Sequence, residues 1–357
     1  MKKKKPYHLS GPAVLLLAVY LLVFPHPCAR ELFGRPVWAV DLSAPGRDVL
    51  ASGQRPYSWF RAGRQFGYFG LGGELYFLGE TLYGVTLCEA GFINYARVFD
   101  HIAFQDSDGN MRTGLKSPGY PILDAKGERL FSVSTDASGL GELSWEGETL
   151  WRQDFVSPIT SLAIGGRDIA VGLLSGTLVL IDERGERTYQ VSPQGSRLPV
   201  ILGTCFSGDN RHLAFLSGID PTILTILGRR QKEVVSRRTL KLDSRLRREV
   251  RLQFSADDRF LLLEDAQGLR VLEMAGSDEV LLRLPAPARA VATCGQTGIA
   301  VVSAPVGPGS TLALFRLPGT RLYESALPSR EVTLKMQQQH LFIGIPGYLL
   351  RVDIVED

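Results

Sequence analysis

The feature that most constrains the fold is a phrase that recurs along the chain. It is clearest at residues 159–191, ITSLAIGGRDIAVGLLSGTLVLIDERGERTYQV. Four short apolar runs are separated by Gly165-Gly166-Arg167, Ser175-Gly176 and Glu183-Arg184-Gly185-Glu186. Apolar runs of this length, bounded by glycine and polar turn residues, read as strands joined by hairpins. The same grammar returns from Ile122, Cys205, Gln253, Ala292 and Leu334. The first hairpin apex of each unit serves as a marker: Ala125, Gly165, Gly208, Ala256, Gly295 and Gln338, spaced by 39 to 48 residues. A seventh, less regular marker is Gly72 in FGLGGELYFLG, 53 residues before the next.

Four antiparallel strands per unit, at a period near 43, are the signature of a β-propeller blade. A four-stranded meander has two faces and cannot cover both by itself. Stacking blades radially buries each face on a neighbour, and closing the ring removes the exposed ends. Seven markers predict an all-β, seven-bladed propeller of four-stranded antiparallel blades over residues 57–357. A hydrophobic content of 45% supplies a large core, and 38 glycines and 20 prolines suit a chain of many turns. The first blade is expected to take strands from 65–70, 74–79, 82–87 and 92–97. That leaves 101–117 as an insertion, with a degenerate eighth blade within 92–117 as the alternative. The last unit offers three strands, near 331–336, 340–344 and 348–354. Val37–Leu42, inside a linker at 30–56, is expected to add to it as the outer strand. Trp38, Val40 and Leu42 would then face the neighbouring blade.

Residues 1–29 differ from the rest. Lys2–Lys5 form a basic cluster and 13–24 (AVLLLAVYLLVF) an apolar run. This pattern reads as an export signal or signal anchor. The run is shorter than the roughly twenty residues that span a bilayer. Cys28 follows Pro25-His26-Pro27, which does not resemble the small-residue motif of a lipid-modified cysteine. The propeller is therefore expected to be exported: membrane-anchored, periplasmic or otherwise extracytoplasmic.

The phrase FSGDNRHLAFLSG, repeated as FSADDRFLLLED, resembles the blades of the WD-repeat superfamily, in which a strand, a Ser-x-Asp turn and a second strand follow one another. GELSWEGETLWRQDF, at 141–155, is similar to the quinoprotein-type (PQQ-like) repeat. The resemblance implies a bacterial propeller that acts as an interaction platform, with partners docking on a loop face or channel mouth. The Trp-bearing motif is good in one unit, so no quinone cofactor is expected.

Motifs for chemistry are sparse. Asp106-Ser-Asp108-Gly-Asn110 has the alternating oxygens of a calcium loop, but Met111 and Ser117 stand where its later ligand pattern fails, so a hairpin turn is expected. The glycine-rich 63–73 lacks a Gly-Lys-[Ser/Thr] ending and reads as a tightly packed strand. His8, His26, His101, His212 and His340 are isolated, and Cys28, Cys88, Cys205 and Cys294 have no metal spacing. No catalytic, cofactor or metal residues are assigned. The compositional anomaly is 229–251, with ten Lys or Arg against three acids. It reads either as a charged edge strand or as a docking site. The candidate partner-binding residues are Arg229, Arg230, Arg237, Arg238, Arg245, Arg247 and Arg248. The function expected is a non-enzymatic, envelope-located scaffold that binds another envelope protein. The alternatives are a propeller hydrolase, lactonase or dehydrogenase with its site at the channel mouth, and a binder of anionic lipid or cell-wall polymer through 229–251. Nucleic acid is disfavoured, because the basic stretch has no aromatic residues for base stacking.

Overall fold

A computed structural model describes residues 32–43, 56–117, 119–230, 233–243 and 246–356. Residues 1–29, on which the expectation of an export signal rests, and Cys28 among them, lie outside the described residues, as do Arg245 and the side chain of Arg230.

Residues 159–191 fold as the phrase dictates. Strands Ile159–Ile164, Ile169–Leu173, Leu178–Ile181 and Arg187–Val191 pair in sequence order. The two middle strands are buried at every position, and the outermost is largely exposed. Middle strands lie between two neighbouring blades, so both of their faces are covered and the apolar run is continuous. Gly185, at φ +81°, turns the last hairpin, and a Cβ there would come within 2.5 Å of the Trp151 side chain of the preceding blade.

The described residues form eight antiparallel sheets, not seven, one of them with three described strands. In chain order they are blade 1 (58–80), blade 2 (84–116), blade 3 (119–154), blade 4 (159–191), blade 5 (198–242), blade 6 (252–283), blade 7 (290–327) and blade 8 (333–356 with 32–41). The expectation of seven fails near the start. Blade 1 consists of Ser58–Ala62, Gln65–Phe69 and Leu75–Glu80, three described strands. Gly72 therefore marks its last hairpin, not its first. Gly84–Leu87 and Gly91–Tyr95 do not complete blade 1; they open blade 2. Residues 101–117 are no insertion, because His101–Asp106 and Met111–Lys116 are the outer half of blade 2. Asp106 builds the turn between them: its Oδ1 accepts the Asp108 and Asn110 amides at 3.0 and 2.8 Å.

The marker positions repeat because they join the blades. On one face of the ring, Asn210 Oδ1 accepts the Gly166 amide across blades 4 and 5. Asp258 of blade 6 accepts the amides of Gly208 and Asp209 at 2.7 and 2.9 Å. Thr293 Oγ1 of blade 7 accepts the Ala256 amide, and the Cys294 thiol reaches the Gln338 carbonyl of blade 8. Behind this polar chain, eight apolar clusters each join one blade to the next. That between blades 2 and 3 holds Ile93, Phe104, Leu123 and Leu130, and that between blades 5 and 6 holds Leu216, Leu224, Leu261 and Leu263. The series includes the contact of blade 8 with blade 1, so the ring is closed.

Closure uses the strand Leu32–Asp41, which pairs antiparallel with Tyr348–Glu356. Val40 and Leu42 are buried with Phe60, Phe69 and Leu75 of blade 1, and Trp38 packs against them. The Trp38 indole and the Arg351 guanidinium both donate to the Leu71 carbonyl of blade 1. Asp353 holds Arg351 in place at 2.8 Å and accepts His340 at the same distance. Burial pushes the Asp353 carboxyl up, but the hydrogen bonds from Arg351 and His340 outweigh it and hold the group below its ordinary value. A depressed carboxyl contributes stability that is complete above the ordinary aspartate range and is lost as pH falls through the folded value. Asp353→Asn is expected to cost about 1–3 kcal/mol at neutral pH and to flatten the loss of stability below about pH 4. Urea titrations of both proteins between neutral pH and acid check this.

Candidate functional site

The innermost strands surround a central channel. Thr333 Oγ1 donates to the Arg61 carbonyl, and the Lys335 ammonium lies 4.0 Å from the centre of the Trp59 ring. Strand Ser58–Ala62 thus runs beside Thr333–Gln337 in the opposite direction, bringing Arg61 to the channel wall. A cavity of about 480 Å³ opens here between blades 1, 2, 6, 7 and 8. Its cationic lining is Arg61, Arg251, Arg289 and Lys335, and its apolar wall includes Trp59, Leu87 and Phe342. Burial pushes the Lys335 ammonium down to about 8, and the carboxylate of Glu89 partly opposes the shift. A second cavity of about 460 Å³, beside blades 4 to 7, shares Arg251 and Arg289 with the first. Its acids are Glu249 and Glu264, and Glu264 is tied to Arg248 and to the Arg251 amide. Among the described residues no group of three or more His, Cys, Asp or Glu is arranged to hold a metal ion.

The basic segment is placed differently from the channel cations. Arg229 lies on Thr222–Arg230 of blade 5, ion-paired to Asp168 of blade 4 and stacked over Phe206 with its guanidinium carbon 5.3 Å from the ring centre. Their side chains retain 13% and 18% of full exposure, so the pair is an interblade tie. Arg230 ends the same strand. Arg237 and Arg238 lie on Glu233–Leu242, the outer strand of blade 5. Arg238 reaches the carbonyls of Glu273, Gly276 and Ser277 in blade 6. Arg237 is exposed, and its charge, after burial, helps push His212 down. Arg248 is held by Glu264, whose side chain is 3% exposed. Arg247 is exposed and lies 3.9 Å from Asp220. Among the described side chains, therefore, Arg229, Arg238 and Arg248 are held by partners in neighbouring elements, whereas Arg237 and Arg247 are exposed.

Eight antiparallel sheets, seven of four strands and one of three described strands, closed around a channel place the chain in a fold class, and a family model described as "beta-propeller protein" matches residues 1–357. The chain belongs to that family of β-propeller proteins. This propeller is 22% identical to an uncharacterized protein of Treponema pallidum (strain Nichols), over 99% of this chain and 95% of the relative. Among solved structures, BamB from Moraxella catarrhalis superposes with a TM-score of 0.60 at 12% identity, covering 90% of this propeller and all of BamB. The computationally designed Ika8 protein also gives 0.60, at 15% identity, over 82% of this chain and 90% of that one. At these identities the structural likeness speaks for the fold alone.

A third feature of the propeller lies on its rim. A groove of about 360 Å³ runs between the outer parts of blades 7 and 8. Pro36, Val37 and Ala39 line it on the blade 8 side, and Leu312, Tyr323 and Leu327 on the blade 7 side. Val37 and Tyr323 keep 44% and 52% of their full exposure. Sequence reasoning missed both this groove and the channel cations. Arg61, Arg289 and Lys335 are scattered over three blades, and nothing local in the chain links them. The usable signal was their position at or beside the innermost run of each unit.

Proposed function

We propose that this propeller is an exported, non-catalytic scaffold that binds another protein of the cell envelope. The observation that carries the reading is the open apolar groove beside strand Leu32–Asp41. That strand pairs with Tyr348–Glu356 on one side, and among the described residues the sheet order ends with it on the other. An exposed apolar groove next to a free strand edge suits an extended segment of a partner, whose apolar side chains enter the groove while its backbone meets the edge. Pro36 and the register shift beside it restrict such pairing to the half of the strand after Pro36. The export reading rests on Lys2–Lys5 and the apolar run at 13–24. The basic segment supports an anionic partner less well, because Arg229, Arg238 and Arg248 already have internal partners.

The test is affinity capture from membranes with the full chain tagged at its C-terminus, beside Val37→Asp/Tyr323→Asp. The unaltered chain, found outside the cytoplasm by fractionation, is expected to retain a defined partner that the double variant loses. An identical capture profile for the two proteins would refute the groove, and a wholly cytoplasmic chain would refute export.

A further inference from the structure

We propose that the central channel is a binding site for a small organic anion with at least two acid groups, carboxylate or phosphate, on an apolar body. This goes beyond the rim reading and does not depend on it. The argument starts from how the arginines are used. Elsewhere, the arginines set into the ring meet a carboxylate or carbonyls: Arg129 meets Glu142, Arg229 meets Asp168, Arg270 meets Asp265, and Arg351 meets Asp353. Arg61, Arg251 and Arg289 differ. Their guanidinium groups form no ion pair or hydrogen bond among the described residues, and all three line one cavity with Lys335. No carboxylate lines that cavity.

Four cationic side chains thus line one space whose lining holds no carboxylate, and its walls of low dielectric strengthen the field they present to an anion. A ring built only for stability would gain by placing an acid there, as it does around Glu264 on the other side of Arg251. An anion with two acid groups balances this positive lining and presents oxygens that planar guanidinium groups bind in pairs. A volume of about 480 Å³ lies in the range of small-ligand sites. Trp59, Leu87 and Phe342 supply an apolar surface for the body of the ligand. The burial that pushes Lys335 down would be offset by a bound anion.

The experiment is titration calorimetry of the full chain at low salt with inorganic pyrophosphate and, separately, with citrate. One equivalent of at least one probe is expected to bind, with affinity that falls as salt is added. A preference between the two names the acid group. Arg251→Gln/Arg289→Gln is expected to weaken binding at least tenfold with an unchanged melting temperature, since both side chains are exposed and unpaired. Arg237→Glu/Arg247→Glu, at exposed residues outside the cavity lining, is expected to bind as the unaltered chain does. Should the channel variant fold poorly, the 13Cε signal of Lys335 in the unaltered, 13C-lysine-labelled chain gives a second readout: its titration midpoint rises when the probe binds. No saturable binding of either probe, equal affinity in the channel variant, or a midpoint that does not move would overturn the proposal. So would binding of a decaglutamate peptide that neither probe displaces, which points to an acidic protein segment instead.

Discussion

Deleting residues 32–43 is expected to unfold the ring, not merely to fray one end. The segment closes blade 8 on one side and covers blade 1 on the other. Burying Val40 and Leu42 contributes about 1.5–3 kcal/mol for each side chain. Their loss also exposes Phe60, Phe69 and Leu349, which they cover, and releases the ladder along Tyr348–Glu356. The combined loss, about 5 kcal/mol or more, is comparable with the whole stability of an ordinary domain, about 5–15 kcal/mol. Thermal and urea unfolding followed by circular dichroism should show a transition at much lower temperature and denaturant. Hydrogen exchange should place the first loss of protection in blades 8 and 1. A transition at the original midpoint would mean that the ring holds without its closing strand.

Arg229→Ala is expected to destabilise the protein by about 2–3 kcal/mol, toward the low end for a broken buried ion pair because both partners keep some exposure. It leaves Asp168 without its cation and removes the stacking over Phe206. Arg237→Glu and Arg247→Glu are expected to change stability by no more than about 0.5 kcal/mol, since exposed charges have little to lose. Chemical denaturation of the three variants separates the two classes. Equal effects on all three would show that Arg229 is no more structural than its exposed neighbours in the chain. The contrast matters for function, because among the described candidates Arg237 and Arg247 are the two most open to an anionic partner.

Much of the architecture was legible in the chain. The turn residues of 159–191 and their echoes at Ser207-Gly208-Asp209 and Ser255-Ala256-Asp257 dictate hairpins through local chemistry: Ser207 Oγ donates to Asp209 and accepts the His212 amide. Short apolar runs and turn spacing act within a few residues, so they can be read without the fold. The number of blades could not be read this way. Blade 1, with its three described strands, and the tight turn between Gly84–Leu87 and Gly91–Tyr95 break the period, and only the pairing of strands assigns each to its sheet. The fate of a charge was equally hidden. Arg229, Arg238 and Arg248 looked alike in a basic run, yet their partners come from Asp168, the 273–277 turn and Glu264. Arg61, Arg251, Arg289 and Lys335 stand far apart in the chain and share one cavity only because four innermost strands converge on the axis. The local sequence therefore determined strands, turns and a repeating blade. Blade count, ring closure and the pairing of each cation were decided by contacts between residues distant in the chain, which exist only once the ring has closed.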